Sequence, residues 1–276
     1  MRRHPSTLPA VLLTSAAALY LGLPAEALLG FPLDPTRSYL SELAASDQPS
    51  SMVFRGLDLL AGALVLLACA VMFRRLHTTS DGLRTAMLAS LALFGIGTMA
   101  DVLFPMACAP SADARCAAAD AAGTLGPAHL VHTAASASAL AAASAVAAIL
   151  LIMVARAARG LPTALGPSPS PRRSVAVTVV TVLVLVTSIT VTALSLSGSA
   201  TGVLPAGGGV VQRVQTMTIC LMLTGVPHWL RPAKRPTAAG PSADDSVAYV
   251  GFLALTALTL SVAGAVTFLA ILLSSA

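Results

Sequence analysis

SVAVTVVTVLVLVTSITVTALSLS, residues 174–197, decides the fold class. Its Val and Thr content is that of a β-strand, because branched side chains pack well on a pleated sheet. Its length is not. Strands rarely pass about ten residues, and this run continues for 24 without a Gly, a Pro or a charge. About 20 apolar residues in a helix cross the hydrocarbon core of a bilayer. In lipid a helix satisfies its own backbone, which an isolated strand cannot do. The stretch therefore reads as a transmembrane helix.

Six more apolar runs lie near 8–30, 52–73, 85–106, 128–154, 210–230 and 247–273. Of the 276 residues, 56% are hydrophobic and only 10% charged, against about 25% charged in globular domains. That excludes a disordered chain and any sizeable soluble domain. The expectation is an all-α, polytopic transmembrane helix bundle: a six-helix core over 8–230, a Pro-rich linker over 231–246 and a seventh transmembrane helix over 247–273. Small residues such as Ala134, Ser138 and Ala142 would let helices approach closely. His228 and Trp229 read as an interfacial anchor.

Charge orients the bundle. With the N-terminus in the cytoplasm, twelve of the sixteen basic residues fall inside, and only Arg37, Arg55, Arg115 and Arg213 fall outside. This positive-inside bias predicts a multi-pass protein of the plasma membrane, with seven crossings leaving the C-terminus outside. The basic residues are 15 Arg and one Lys, a usage that points to a GC-rich, bacterial genome. Arg2, Arg3, an apolar run and Ala25-Glu26-Ala27 also resemble a secretory signal with its cleavage site, although retention of the segment is the preferred reading. No P-loop or dinucleotide fingerprint occurs, and Gly207-Gly208-Gly209 reads as a turn. Neither nucleotide nor nucleic acid is an expected partner.

Cys108 and Cys116 share one outer loop. Thiols outside the membrane oxidise, so a disulfide is expected there. Cys69 and Cys220 lie inside helices and read as buried small hydrophobes. Two carboxylates fall within crossings, Asp58 and Asp101. At that depth each costs on the order of 1–3 kcal/mol unless paired or wetted, so each should face the bundle interior with a partner. The partners in reach are Arg55, three residues from Asp58 on the same helix face, Arg213, and the pair His129 and His132. The i, i+3 spacing of the histidines puts both rings on one side, as two ligands of one zinc would require. A zinc site would use Asp101, His129 and His132, with Asp58 or Glu42 as fourth ligand or catalytic base. Without metal, Asp58 should pair with Arg55 or Arg213, and the histidines with Asp101 or loop carbonyls. Ser38-Tyr39-Leu40-Ser41-Glu42-Leu43 has a pattern that could dip back into the bundle.

YLSELAASDQPSSMVFRGLDLLAG at 39–62 and DVLFPMACAPSADARCAAADAAGTLGPAHLVHTAAS at 101–136 resemble the signature of the bacterial membrane family catalogued as domain of unknown function 998. The resemblance covers roughly 8–230 and implies a helical membrane core. It rests on Arg55 and Asp58 after a Ser-Glu-Leu segment, on Phe104, Pro105 and the two loop cysteines, and on His129 and His132. Gln212-Arg213 stands where such sequences often have Glu-Arg, and Pro127 where a Ser-Trp helix start is usual. The seventh helix looks extra. More distantly, the arrangement is similar to the Frag1/DRAM/Sfk1-like membrane proteins, linked to lipid organisation, and to membrane hydrolases related to alkaline ceramidase, which hold zinc with His and Asp.

Three functions compete. The first is a membrane protein that binds lipid or a membrane-protein partner at a polar, outward-facing intramembrane site made by Arg55, Asp58, Asp101, His129, His132 and Arg213. The second is a zinc-assisted hydrolase of outer-leaflet lipid, in which the metal lowers the pKa of a bound water. The third is a transporter, for which no inverted repeat is evident.

Overall fold

The computed structural model describes residues 7–74, 82–161, 170–201 and 207–229. The linker 231–246 and the seventh apolar segment 247–273 lie outside the described residues, and so does the sidedness of the C-terminus. Among the described residues the structure is helical, without strands. Its helices are α1 (Thr7–Tyr20), α2 (Leu23–Leu28), α3 (Ser51–Phe73), α4 (Gly82–Leu103), α5 (Ala114–Ala121), α6 (Pro127–Ala158), α7 (Pro171–Thr201) and α8 (Gly208–Trp229), with a 3-10 turn at Leu40–Ala44. The Val/Thr-rich run is thus helical throughout. Its Thr181 and Thr187 hydroxyls donate to carbonyls four residues back, 2.7 Å away in each case, which hides them from lipid.

The first crossing is not one helix. Gly22 takes a φ of +64° between α1 and α2, a conformation open to glycine and strained for other residues. Pro24 sits in the first turn of α2, where its missing N–H costs nothing. Gly207, at φ +87°, is the turn residue of its glycine run, while Gly208 and Gly209 open α8.

Each long helix packs on the next in sequence (α1 on α3, α3 on α4, α4 on α6, α6 on α7, α7 on α8), and α1 packs on α8, closing a ring of six. Two contacts are tight enough to require absent side chains. A Cβ on Gly62 would lie 2.8 Å from the Gly95 carbonyl oxygen, and one on Gly97 would lie 3.0 Å from the Cβ of Ala139. The buried stripe of α6 runs through Ala135, Ala139 and Ala143; of the expected Ala134, Ser138 and Ala142, Ala142 is buried and the other two are exposed.

Five helical segments are long and apolar enough to cross a membrane: Thr7–Leu28, α3, α4, α6 and Pro171–Gly198. α8 is not among them, although its 22 residues could span. Fifteen of those residues are buried, including Arg213, Gln215, Thr216, Thr218 and Thr224. It faces protein on most sides, so its polar groups meet polar groups: Gln215 Nε2 donates to Ser188 Oγ at 3.2 Å on α7. Trp229 is 1% exposed and its ring lies over Gly225. It packs inside the bundle, a correction to its reading as an interfacial anchor.

Arg74, Arg84, Arg156, Arg159, Arg172 and Arg173 stand at one end of the ring. The other end is capped by the segments 29–50 and 104–126. A small apolar cluster of Leu33, Leu43, Ala44, Ala45, Phe54 and Ala109 binds the cap to the helices. The Ser50 and Ser51 hydroxyls donate to the Leu43 and Ala44 carbonyls at 2.8 and 2.9 Å, so residues 40–44 do turn back over the bundle. Cys108 and Cys116 form a disulfide in this cap; Cys69 and Cys220 are free and buried.

Candidate functional site

Three of the expected residues meet under the cap. Asp58 of α3, Asp101 in the last turn of α4 and His132 of α6 line one small cavity together with Ser41, Ala44 and Val102. Its volume is about 20 Å³, enough for one water molecule. Asp101 and His132 are neighbours because the tight contact at Gly97 sets the register of α4 on α6. His132 Nδ1 lies 3.3 Å from the Asp101 carbonyl and 3.6 Å from its Oδ1. Both neighbours are acceptors, so Nδ1 carries the proton. Ser136, one turn deeper, donates to Asp101 Oδ2 at 2.9 Å. That direction makes Ser136 a brace for the carboxylate and leaves it without the His contact that activates a nucleophilic serine. Asp101 Oδ1 is buried and has no hydrogen-bond partner. Ser41 and Ala44 come from the turned-back segment and cover the cavity on the cap side, where an open mouth had been expected.

The two arginines are elsewhere. Arg55 Nε and Nη2 donate to the Val102 carbonyl at 3.2 and 3.0 Å, one of the last-turn carbonyls of α4 that no helical N–H reaches. Arg213 is 3% exposed and forms an ion pair with Glu26 of α2, itself fully buried. Its Nε donates to Glu26 Oε2 at 3.0 Å, and its Nη1 reaches the carbonyls of Pro35, Ser38 and Gly209 at 2.9, 2.8 and 3.0 Å. Gly209 must be glycine for this, since a Cβ there would lie 2.4 Å from the Pro35 and Ser38 oxygens. The expected pairing of Asp58 with Arg55 or Arg213 is therefore corrected. α8 packs beside α1 and not α3, which hands Arg213 to Glu26, and Arg55 is drawn off by a bare helix end.

His129 also turns away from the cavity. Its Nε2 donates to Asp120 Oδ1 at 2.9 Å, and its Nδ1 accepts from the Ala107 N–H at 3.4 Å. Both nitrogens are used to hold α5 and the disulfide loop. The zinc set Asp101, His129 and His132 is not assembled. Among the described residues no three His, Cys, Asp or Glu side chains converge as a metal needs.

Glu42 is buried in the cap, with both oxygens committed. Oε1 accepts from the Tyr39 N–H at 2.8 Å, and Oε2 accepts from the Ser111 N–H and hydroxyl at 2.8 and 2.6 Å. It ties the two cap segments together and is not among the residues that line the cavity. Nearby, the Thr36 hydroxyl holds the Asp34 carboxyl below its ordinary range, and burial pushes the Tyr39 hydroxyl up.

Sequence reasoning missed Glu26 and Asp120 as partners. Glu26 had been absorbed into an apparent cleavage motif, though a carboxylate within an apolar run was itself a signal. Asp120 had only its position to speak for it, nine residues before His129.

No curated protein and no solved structure matches the chain. Residues 13–227 match the family described as protein of unknown function (DUF998). That span takes in most of the ring and the whole cap, and the chain belongs to this family.

Proposed function

We propose that this integral membrane protein binds a lipid at its capped end, through the cavity between Asp58, Asp101 and His132, and that the capped end faces outward from the cell membrane. The observation that carries the reading is the buried Asp101 Oδ1, which accepts no hydrogen bond and has only the His132 ring at 3.6 Å beside it, next to a second carboxylate. Such a group costs roughly 1–3 kcal/mol when nothing meets it, and a bound headgroup would meet it. Sidedness is supported by the arginines at one end and the disulfide at the other, where thiols oxidise.

The test is the lipid retained by the full chain purified in mild detergent, beside the double variant Asp58→Asn/Asp101→Asn. At least one lipid should stay with the native protein, and retention should fall about tenfold in the variant. Equal retention in both proteins overturns the reading. So does stoichiometric zinc in the native protein that disappears in His132→Ala, since that result would restore the hydrolase.

A further inference from the structure

We infer that the cavity where Asp58, Asp101 and His132 meet receives a primary ammonium group. Identifying its source as a lipid headgroup rests on the reading proposed above, but the chemistry of the cavity stands without it.

Charge comes first. Asp58 and Asp101 line the same cavity; among the described residues no arginine forms an ion pair with either, and the basic group beside them is the His132 ring, whose Nδ1 lies 3.6 Å from Asp101 Oδ1. The two guanidiniums that could have served are spent, Arg55 on the Val102 carbonyl and Arg213 on Glu26. His129 is spent on Asp120. A pair of carboxylates in low dielectric calls for a cation, and the fold has directed its nearby arginines elsewhere.

Size and valence narrow the cation. Space of about 20 Å³ admits a group the size of one water, which an ammonium nitrogen with its hydrogens matches. A trimethylammonium is too bulky and brings no N–H. A guanidinium, with a carbon and three nitrogens, is larger than a space of about 20 Å³ holds. A primary ammonium has three N–H donors. The cavity is lined by Asp58, Asp101 and Ser41, and Asp101 Oδ1 accepts no hydrogen bond. Ser136 fixes the Asp101 carboxylate by its other oxygen, so Oδ1 is held in place before any ligand arrives. Two sources supply this chemistry: an aminophospholipid such as phosphatidylethanolamine, and a small free amine.

The experiment uses the full chain in mild detergent. Native mass spectrometry measures its affinity for phosphatidylethanolamine, its N-methyl and N,N-dimethyl derivatives, phosphatidylcholine and phosphatidylglycerol, all with the same acyl chains. A parallel arm measures the thermal shift given by ethylammonium chloride against sodium chloride. Affinity should fall stepwise with methylation, to about tenfold weaker for phosphatidylcholine. Asp58→Asn should remove the preference among the headgroups. The headgroup series is read on the native protein, so it decides the matter even if the variant misfolds. Equal binding of all headgroups overturns the ammonium site and leaves lipid binding intact. Stabilisation by ethylammonium with no lipid bound keeps the site and removes the lipid as its source. No response to lipid or amine overturns both.

Discussion

Arg213 and Glu26 show what a single buried contact does here. The guanidinium is surrounded by two carboxylate oxygens and three carbonyls, so it joins α8 to α2 and to the 35–38 loop at once. Removing one partner of such a pair leaves a bare buried charge, at a cost of about 3–5 kcal/mol. Glu26→Ala should therefore lower the unfolding transition in detergent sharply, while Glu26→Leu combined with Arg213→Met should recover most of the loss. If the single variant unfolds like the native chain, the pair is not the clasp described. The cost of burying charge, read from sequence, groups Asp58, Asp101, His129 and His132 in one cavity; the structure puts Asp58, Asp101 and His132 there and turns His129 to Asp120. That cost could not allocate partners, because Arg55 and Arg213 each had several acceptors within reach, and only the packing order of the helices chooses among them. Glu42 escaped for a similar reason: its sequence neighbours do not reveal Ser111, which lies 69 residues away.

At the scale of elements, length and the needs of the backbone in lipid were enough to locate the long helices within a few residues, five of them long and apolar enough to cross a membrane. The break at Gly22 was missed because apolar composition runs straight through it. The inward stripe of α6 was read only in part, since nearly every residue there is small and apolar and the pattern has no phase to read. The tight crossing of α3 and α4 gives a clean test. Gly62→Ala puts a methyl against the Gly95 carbonyl and should cost about 1–3 kcal/mol as the helices part. Gly56→Ala, on the same helix with nothing within 4 Å, should be neutral or stabilise by up to about 1 kcal/mol. Thermal unfolding of the two variants in the same detergent checks both. Equal effects would mean that close approach at Gly62 is not what holds α3 to α4.

For the whole molecule, sidedness is the property most open to direct measurement. In right-side-out vesicles, a membrane-impermeant thiol reagent should label Cys108 only after mild reductant, and should leave the buried Cys69 and Cys220 untouched. Labelling in inside-out vesicles instead would reverse the orientation. Closure of the ring also bears on how the protein is made. Glu26 emerges from the ribosome 187 positions before Arg213, which lies in the helix that completes the six. Throughout that interval the membrane must hold an unneutralised carboxylate near its surface, and α8, rich in polar groups, must enter a site already shaped to accept it. Insertion of the last helix is thus the step that commits the chain. A nascent protein that stops short of α8 carries an open seam between α1 and α7, the two helices that α8 joins.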